Sequence, residues 1–192
     1  MIIMKKAILF LANGYEEIEA LAVVDYLRRA EIQVDMVSIT GTLETVSAHG
    51  VHIKADKLVE DVNPAEYDAV ITPGGLPGSN LLAENEKVVS YLQSFYEADK
   101  LVASICASPL ALEAAGLAAK IKGTCYPGFE SKVNFKEFSE EIVVKDGNVI
   151  TSRGPATSPY FALAIIEALV GKEKADQIRN GTLITMVESS VK

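Results

Sequence analysis

The chain has 192 residues, a formal net charge of −8 and 49% hydrophobic residues, enough for one domain with a substantial core. The acidic balance argues against a nucleic-acid or anionic-membrane surface. Two cysteines, Cys106 and Cys125, make neither a secreted disulfide framework nor a cysteine-rich zinc site.

The start, Met1-Ile2-Ile3-Met4-Lys5-Lys6, leads into six apolar residues before Asn13-Gly14. That run is too short for a signal peptide or a membrane span, so the expected compartment is the cytoplasm. Residues 7–12 read as a buried strand. Residues 16–31 read as a helix whose apolar face carries Ile18, Leu21, Ala22, Val24 and Leu27, with Arg28 and Arg29 in its last turns. Residues 33–40 are β-branched and alternating, a second strand. Thr45-Val46 and Val51-His52-Ile53 flank Ala48-His49-Gly50, an antiparallel excursion over residues 42–54. Residues 69–72 form a short buried strand ending in Pro73-Gly74-Gly75.

Helical segments follow around Leu81 and over 86–99. A strand then starts at Leu101, and a helix runs from Pro109 to near Gly116. The stretch 117–140 is irregular, with a loop or short strand expected at 123–126. Asp146-Gly147 between Ile142-Val143-Val144 and Val149-Ile150-Thr151 signals a hairpin. Residues 158–170 form a long apolar helix stopped by Gly171, and 172–179 a last short one. Phe95, Tyr96 and Phe161 sit in helical patterns and read as core or interface.

Strands alternating with helices predict an open, mostly parallel sheet covered on both faces, one three-layer α/β domain over residues 1–192. Ligands bind beyond the carboxyl ends of such strands. Three loops fall there: 13–19, 73–78 and 106–109. A nucleotide is a poor fit. No G-x-G-x-x-G follows the first strand, no G-x-x-x-x-G-K-[ST] occurs, and Glu16, Glu17 and Glu19 would repel a pyrophosphate. No cofactor and no metal is expected.

Cys106 carries the strongest local signal. It falls where a buried strand turns into a helix, and helix N-termini favour a thiolate. A small packed core thiol is the competing reading. Gly74-Gly75 can bring backbone N–H groups to a reacting oxygen, or can form an ordinary turn. Glu16 and Glu17 complement a helix dipole, whereas Glu19 interrupts an apolar face and is a site candidate.

Four blocks, in order and at the right spacing, resemble the DJ-1/ThiJ/PfpI superfamily over nearly the whole chain. They are Gly14-x-Glu16-Glu17-x-Glu19, Pro73-Gly74-Gly75, Ala103-x-Ile105-Cys106-Ala107-x-Pro109 and Thr151-Ser152-Arg153-Gly154-Pro155-x-Thr157. The DJ-1-like branch, with its bacterial members, is most similar. The resemblance implies a flavodoxin-like sandwich with Cys106 on a strained nucleophile elbow, and a homodimer built on the first helix. It implies Cys106 as nucleophile, Glu19 as its carboxyl partner, and backbone donors at Gly75 and Ala107. Gly74, Tyr126 and Arg29 are accessory candidates, Arg28 or Arg29 reaching toward the partner's site.

The activities implied are cofactor-free conversion of 2-oxoaldehydes such as methylglyoxal, deglycation of their adducts, redox response and chaperoning. A PfpI-type cysteine peptidase is disfavoured. Ala107 stands where many such members have histidine, and only His49 and His52 exist, both in the excursion. Tyr126 stands where some DJ-1-like proteins have histidine, which leaves Glu19 as the one obvious acid–base group. Cys125 is expected to be a buried or partly buried thiol near the site mouth. The Arg153-Gly154-Pro155 loop is expected to order the site or a dimer surface.

Overall fold

The computed structural model describes residues 4–191; residues 1–3 of the leader reading and residue 192 of the expected domain lie outside the described residues. In chain order the strands and helices are β1 (Lys6–Leu11), α1 (Glu17–Arg29), β2 (Gln33–Ser38), β3 (Glu44–Val46), β4 (His52–Lys54), β5 (Lys57–Leu58), β6 (Ala69–Thr72), α2 (Gly78–Glu84) and α3 (Glu86–Glu97). There follow β7 (Leu101–Ile105), α4 (Pro109–Ala114), β8 (Lys122–Gly123), β9 (Glu137–Phe138), β10 (Val143–Asp146), β11 (Val149–Ser152), α5 (Ser158–Val170), α6 (Lys172–Gly181) and α7 (Ile184–Ser190).

The central sheet has the order β10-β11-β7-β6-β1-β2-β5. Its pairs are parallel except β10–β11, the hairpin signalled by Asp146-Gly147. The expected excursion is the separate β3–β4 pair. Alternation along β1 sends Leu9 and Leu11 to one face and Ile8 and Phe10 to the other. The first face packs on Val23 and Leu27 of α1 and on Phe161 and Ile165 of α5. The second packs on Leu82 of α2, Val88 and Leu92 of α3, and Leu112 of α4. Helices therefore cover both faces of a mostly parallel sheet, the flavodoxin-like sandwich that was expected. Phe95 and Phe161 are core residues, and Tyr96 packs against the second cluster.

The face expected of the first helix needs correction. The structure buries Glu19, Ala20, Val23, Val24 and Leu27, and leaves Ile18 and Leu21 exposed. The helix is entered through Glu16, whose Oε2 accepts the Glu19 N–H at 2.7 Å. That cap fixes the first turn so that Glu19 points inward. Three short elements escaped the sequence reading: β5, β9 and α7. The loop or short strand expected at 123–126 is a strand at Lys122–Gly123, paired with Glu137–Phe138, that runs into a loop.

The chain leaves β1 to form β2 on one side and returns to form β6 on the other. The loops after β1 and β6 therefore diverge from one switch point, where open α/β sheets leave a crevice. Among the described residues no helix is long and apolar enough to cross a membrane.

Candidate active site

Cys106 directly follows β7 and has φ +66°. A non-glycine residue in the left-handed region costs about 1–2 kcal/mol, so the surroundings must hold it there. They do so from both sides. The Cys106 N–H donates to the Ser152 carbonyl at 3.0 Å, and the Cys106 carbonyl accepts the Tyr126 N–H at 2.8 Å. The thiol residue is only 8% exposed.

The loop after β6 approaches from the neighbouring strand. The Gly74 N–H donates to Glu19 Oε2 at 2.7 Å, and the Gly74 carbonyl accepts the Glu16 N–H at 2.8 Å. A Cβ at position 74 would lie 2.5 Å from both Cys106 Cβ and Glu19 Oε2, and 2.9 Å from Cys106 Sγ. The missing side chain thus creates the space that thiol and carboxyl share. Gly75 follows with φ +90°, a conformation that favours glycine. All three expected loops converge here, with Glu19, Gly74, Gly75, Cys106 and Ala107 together.

Glu19 is fully buried. Burial pushes its carboxyl up to about 7, opposed by hydrogen bonds from Cys106 and the Gly74 amide and assisted by the negative charge of Glu16. Its Oε1 has no hydrogen-bond partner of ordinary geometry, and the Cys106 thiol is the donor coupled to this carboxyl. Burial also raises the thiol, and the charge of Glu19 raises it further; the amides of Ala107 and Gly75 pull the other way. A thiol lowered by the helix start alone is therefore the wrong picture. Helix α4 begins only at Pro109, and the balance at Cys106 runs upward while Glu19 is ionised. The two groups titrate as a coupled pair, so the position of a proton belongs to the pair.

The accessory candidates separate. Tyr126 is 45% exposed and stands edge-on to Phe129, with Gly154 beneath its ring. Together with Arg153 and Pro155 it lines a shallow hollow of about 310 Å³, and its own amide is the one that holds the Cys106 carbonyl. Arg29 lies ten residues along α1 from Glu19, about 15 Å by helical rise, and is paired with Asp25 at 2.8 Å. Arg28 is engaged by the Val34 carbonyl and Asp56. Within one chain neither arginine joins the site.

Cys125 is fully buried, and burial raises its thiol to about 11. The Arg153 guanidinium donates to the Cys125 carbonyl and the Glu140 carbonyl, tying that loop down. His49 is exposed and pairs with Glu17 at 3.0 Å. Donor atoms of Glu16, Glu17 and His49 lie within 4.8 Å of one another. Glu16 Oε2 is engaged as a helix cap and Glu17 Oε1 by His49, so the group reads as charge compensation around a helix start. Sequence reasoning missed the capping role of Glu16, because glutamate is not among the residues that ordinarily mark a helix N-cap.

The sequence model of the DJ-1/PfpI family matches residues 5–168. The chain belongs to the DJ-1/PfpI family. Protein dj-1beta of Drosophila melanogaster is 39% identical over 182 residues, covering 94% of this chain and 97% of its own. The crystal structure of Drosophila melanogaster DJ-1beta superposes with a TM-score of 0.91, covering 94% of this chain and 98% of that one. Oxidized Toxoplasma gondii DJ-1 is 35% identical with a TM-score of 0.90, covering 93% and 98%. Protein DJ-1 homolog B of Arabidopsis thaliana is 41% identical over 175 residues; these cover 91% of this chain and 40% of that longer protein. The protein is thus DJ-1-like in sequence and fold.

Proposed function

We propose that this DJ-1-like protein converts small 2-oxoaldehydes, methylglyoxal in particular, to hydroxy acids through Cys106, without a cofactor. The observation that carries the reading is a buried Glu19 carboxyl, poised near neutrality, sharing one space with the thiol. An acid–base group is most useful when it titrates close to the working pH.

In the proposed reaction the Cys106 sulfur bonds to the aldehyde carbon, giving a hemithioacetal. Its oxygen faces the N–H groups of Gly75 and Ala107, which already act on Cys106. Glu19 removes the proton from the former aldehyde carbon, forming an enediol, and returns a proton to the adjacent carbon. The product is a thioester to Cys106. Water cleaves its C–S bond, releasing the hydroxy acid and restoring the thiol. The same attack on adducts of these aldehydes would make the protein a deglycase. The direct test is lactate production from methylglyoxal by Cys106→Ser and Glu19→Gln. Near-normal rates in both sink the assignment.

A second reading is a redox sensor. It is favoured by the likeness to a DJ-1 described as oxidized. Peroxide would convert the Cys106 thiolate to a sulfenic and then a sulfinic acid, with Glu19 donating a hydrogen bond to the new oxygen. Mass spectrometry after mild peroxide separates the cases. Oxidation confined to Cys106 supports sensing, and equal oxidation at Cys125 contradicts it.

A homodimer is part of the same proposal. Ile18 and Leu21 are exposed on α1 at 54% and 37%, about one helical turn apart, and are the apolar side chains that a partner copy on this helix would cover. Light scattering on Leu21→Glu tests it; an unchanged mass for the variant rules out this face.

A further inference from the structure

Beneath the site lies a cluster that the reaction as described does not use. Thr72, Ser104 and Ser108 are fully buried. Thr72 ends β6, and its register partner on β7 is Ser104. Ser104 precedes Cys106 by two residues and Ser108 follows it by two. The Ser108 hydroxyl lies 2.6 Å from the Thr72 carbonyl, Ser104 Oγ lies 2.8 Å from Ser108 Oγ, and Thr72 Oγ1 lies 2.8 Å from Ser104 Oγ. The Ile105 N–H donates to Ser108 Oγ at 3.1 Å.

Each hydroxyl has one proton to give; Ser108 Oγ lies 2.8 Å from the Ile105 carbonyl as well, and the closer Thr72 carbonyl takes its proton in the assignment that links all three. Thr72 donates to Ser104, Ser104 to Ser108, and Ser108 back to the Thr72 carbonyl. The result is a closed ring of hydrogen bonds. It joins the last residue before Pro73-Gly74-Gly75 to the residues on either side of Cys106.

We propose that the Thr72–Ser104–Ser108 ring is the positioning device of this site, holding the Gly75 and Ala107 amides in register with the Cys106 sulfur. The inference rests on the reading of Cys106 as nucleophile. Ser108 also answers the Ile105 amide and the Thr72 carbonyl, but the Thr72 and Ser104 hydroxyls bond chiefly within the cluster, and packing alone does not call for hydroxyls at those two positions. The ring instead spans the two loops whose relative placement matters. Gly75 belongs to the β6 loop and Ala107 to the elbow, and no covalent link shorter than α2, α3 and β7 connects them. Cys106 itself is held in the left-handed region, so slack between the loops would be taken up at the nucleophile. Thr72, Ser104 and Ser108 touch no substrate; they act through the amides.

Thr72→Val removes one hydroxyl at nearly constant shape, Ser108→Ala opens the ring at its centre, and Thr72→Ser restores it. Two readouts are taken: methylglyoxal turnover, and the pH profile of Cys106 alkylation by iodoacetamide. Thr72→Val and Ser108→Ala are expected to lower kcat about ten- to a hundredfold with KM little changed. Their alkylation profiles move to higher pH, because misplaced amides stabilise the thiolate less. Thr72→Ser returns both toward the parent. A folded Thr72→Val whose alkylation profile overlies the parent's overturns the inference, whatever its turnover. Absence of methylglyoxal turnover in the parent would count against the proposed reaction, while the alkylation arm still decides the role of the ring. Should Ser108→Ala fail to fold, the Thr72→Val and Thr72→Ser pair carries the same decision.

Discussion

Glu19 reaches across 55 positions of sequence to accept the Gly74 N–H at 2.7 Å. This bond fixes one carboxyl oxygen and leaves the other without a partner of ordinary geometry. A side-chain amide can reproduce the fixed half, since a glutamine carbonyl also accepts the Gly74 proton. It cannot take up or release a proton. Glu19→Gln is therefore expected to keep the fold and to lower turnover by about 10²–10⁴-fold. Steady-state kinetics beside a thermal melt check this; a melt well below the parent's would assign Glu19 a structural role instead.

The same carboxyl sets a pH dependence of stability. Its folded value is about 7, against an ordinary 4.5, so between these the folded state holds more protons than the unfolded one. Stability from this group is complete below the ordinary value and is lost as pH rises toward 7. The gap corresponds to about 3 kcal/mol at most. Urea unfolding at pH 5 and pH 8 should show the parent weakening relative to Glu19→Gln as pH rises. Parallel behaviour of the two proteins would mean that Glu19 titrates normally.

Gly74→Ala is expected to abolish turnover and to destabilise by about 1–3 kcal/mol. The new methyl would lie 2.5 Å from Cys106 Cβ and from Glu19 Oε2. Neither neighbour can yield without moving the elbow or the first turn of α1. A Gly74→Ala protein with parental kinetics would show that the loop after β6 shifts freely.

Far from the thiol, Tyr67 donates to Asp35 Oδ2 at 2.5 Å and accepts from Lys57 Nζ at 2.9 Å. Burial pushes the Asp35 carboxyl up, but hydrogen bonds from Tyr67, Lys57 and Gln33 prevail and hold it below the usual range. Tyr67→Phe removes a hydrogen bond to a charged group, worth about 1.5–3 kcal/mol. The lost stability is present at neutral pH and shrinks as acid protonates Asp35, because a lowered carboxyl contributes only while ionised. Chemical denaturation at two pH values measures both the loss and its sign.

Residues with one strong physical requirement were legible in the sequence. The run from Leu101 to Ile105 is apolar enough to be buried on both faces, and Pro109 marks a helix start, so the place of Cys106 followed. Glu19 stood out as an acid within an apolar pattern, and the structure buries it. Ile18 and Leu21 misled for a related reason. Helix α1 carries apolar residues on more than one side, and periodicity alone does not say which side meets the sheet. Residues 117–140 gave no period because β8 and β9 are two residues long and are held by pairing across a loop. The ring of Thr72, Ser104 and Ser108 was invisible. Small hydroxyl residues inside apolar strands leave no pattern, and only their register brings them together.

The Cys106 amide is bonded to the Ser152 carbonyl, which withdraws it from any part in receiving a substrate oxygen. In the proposed reaction, charge building on a bound carbonyl is then met from one flank, by Gly75 and Ala107, while Glu19 works from beside the sulfur. A planar enediol held in that way presents a single face to its proton donor. That reaction is therefore expected to give one enantiomer of lactate in excess from methylglyoxal, which chiral chromatography of the product checks.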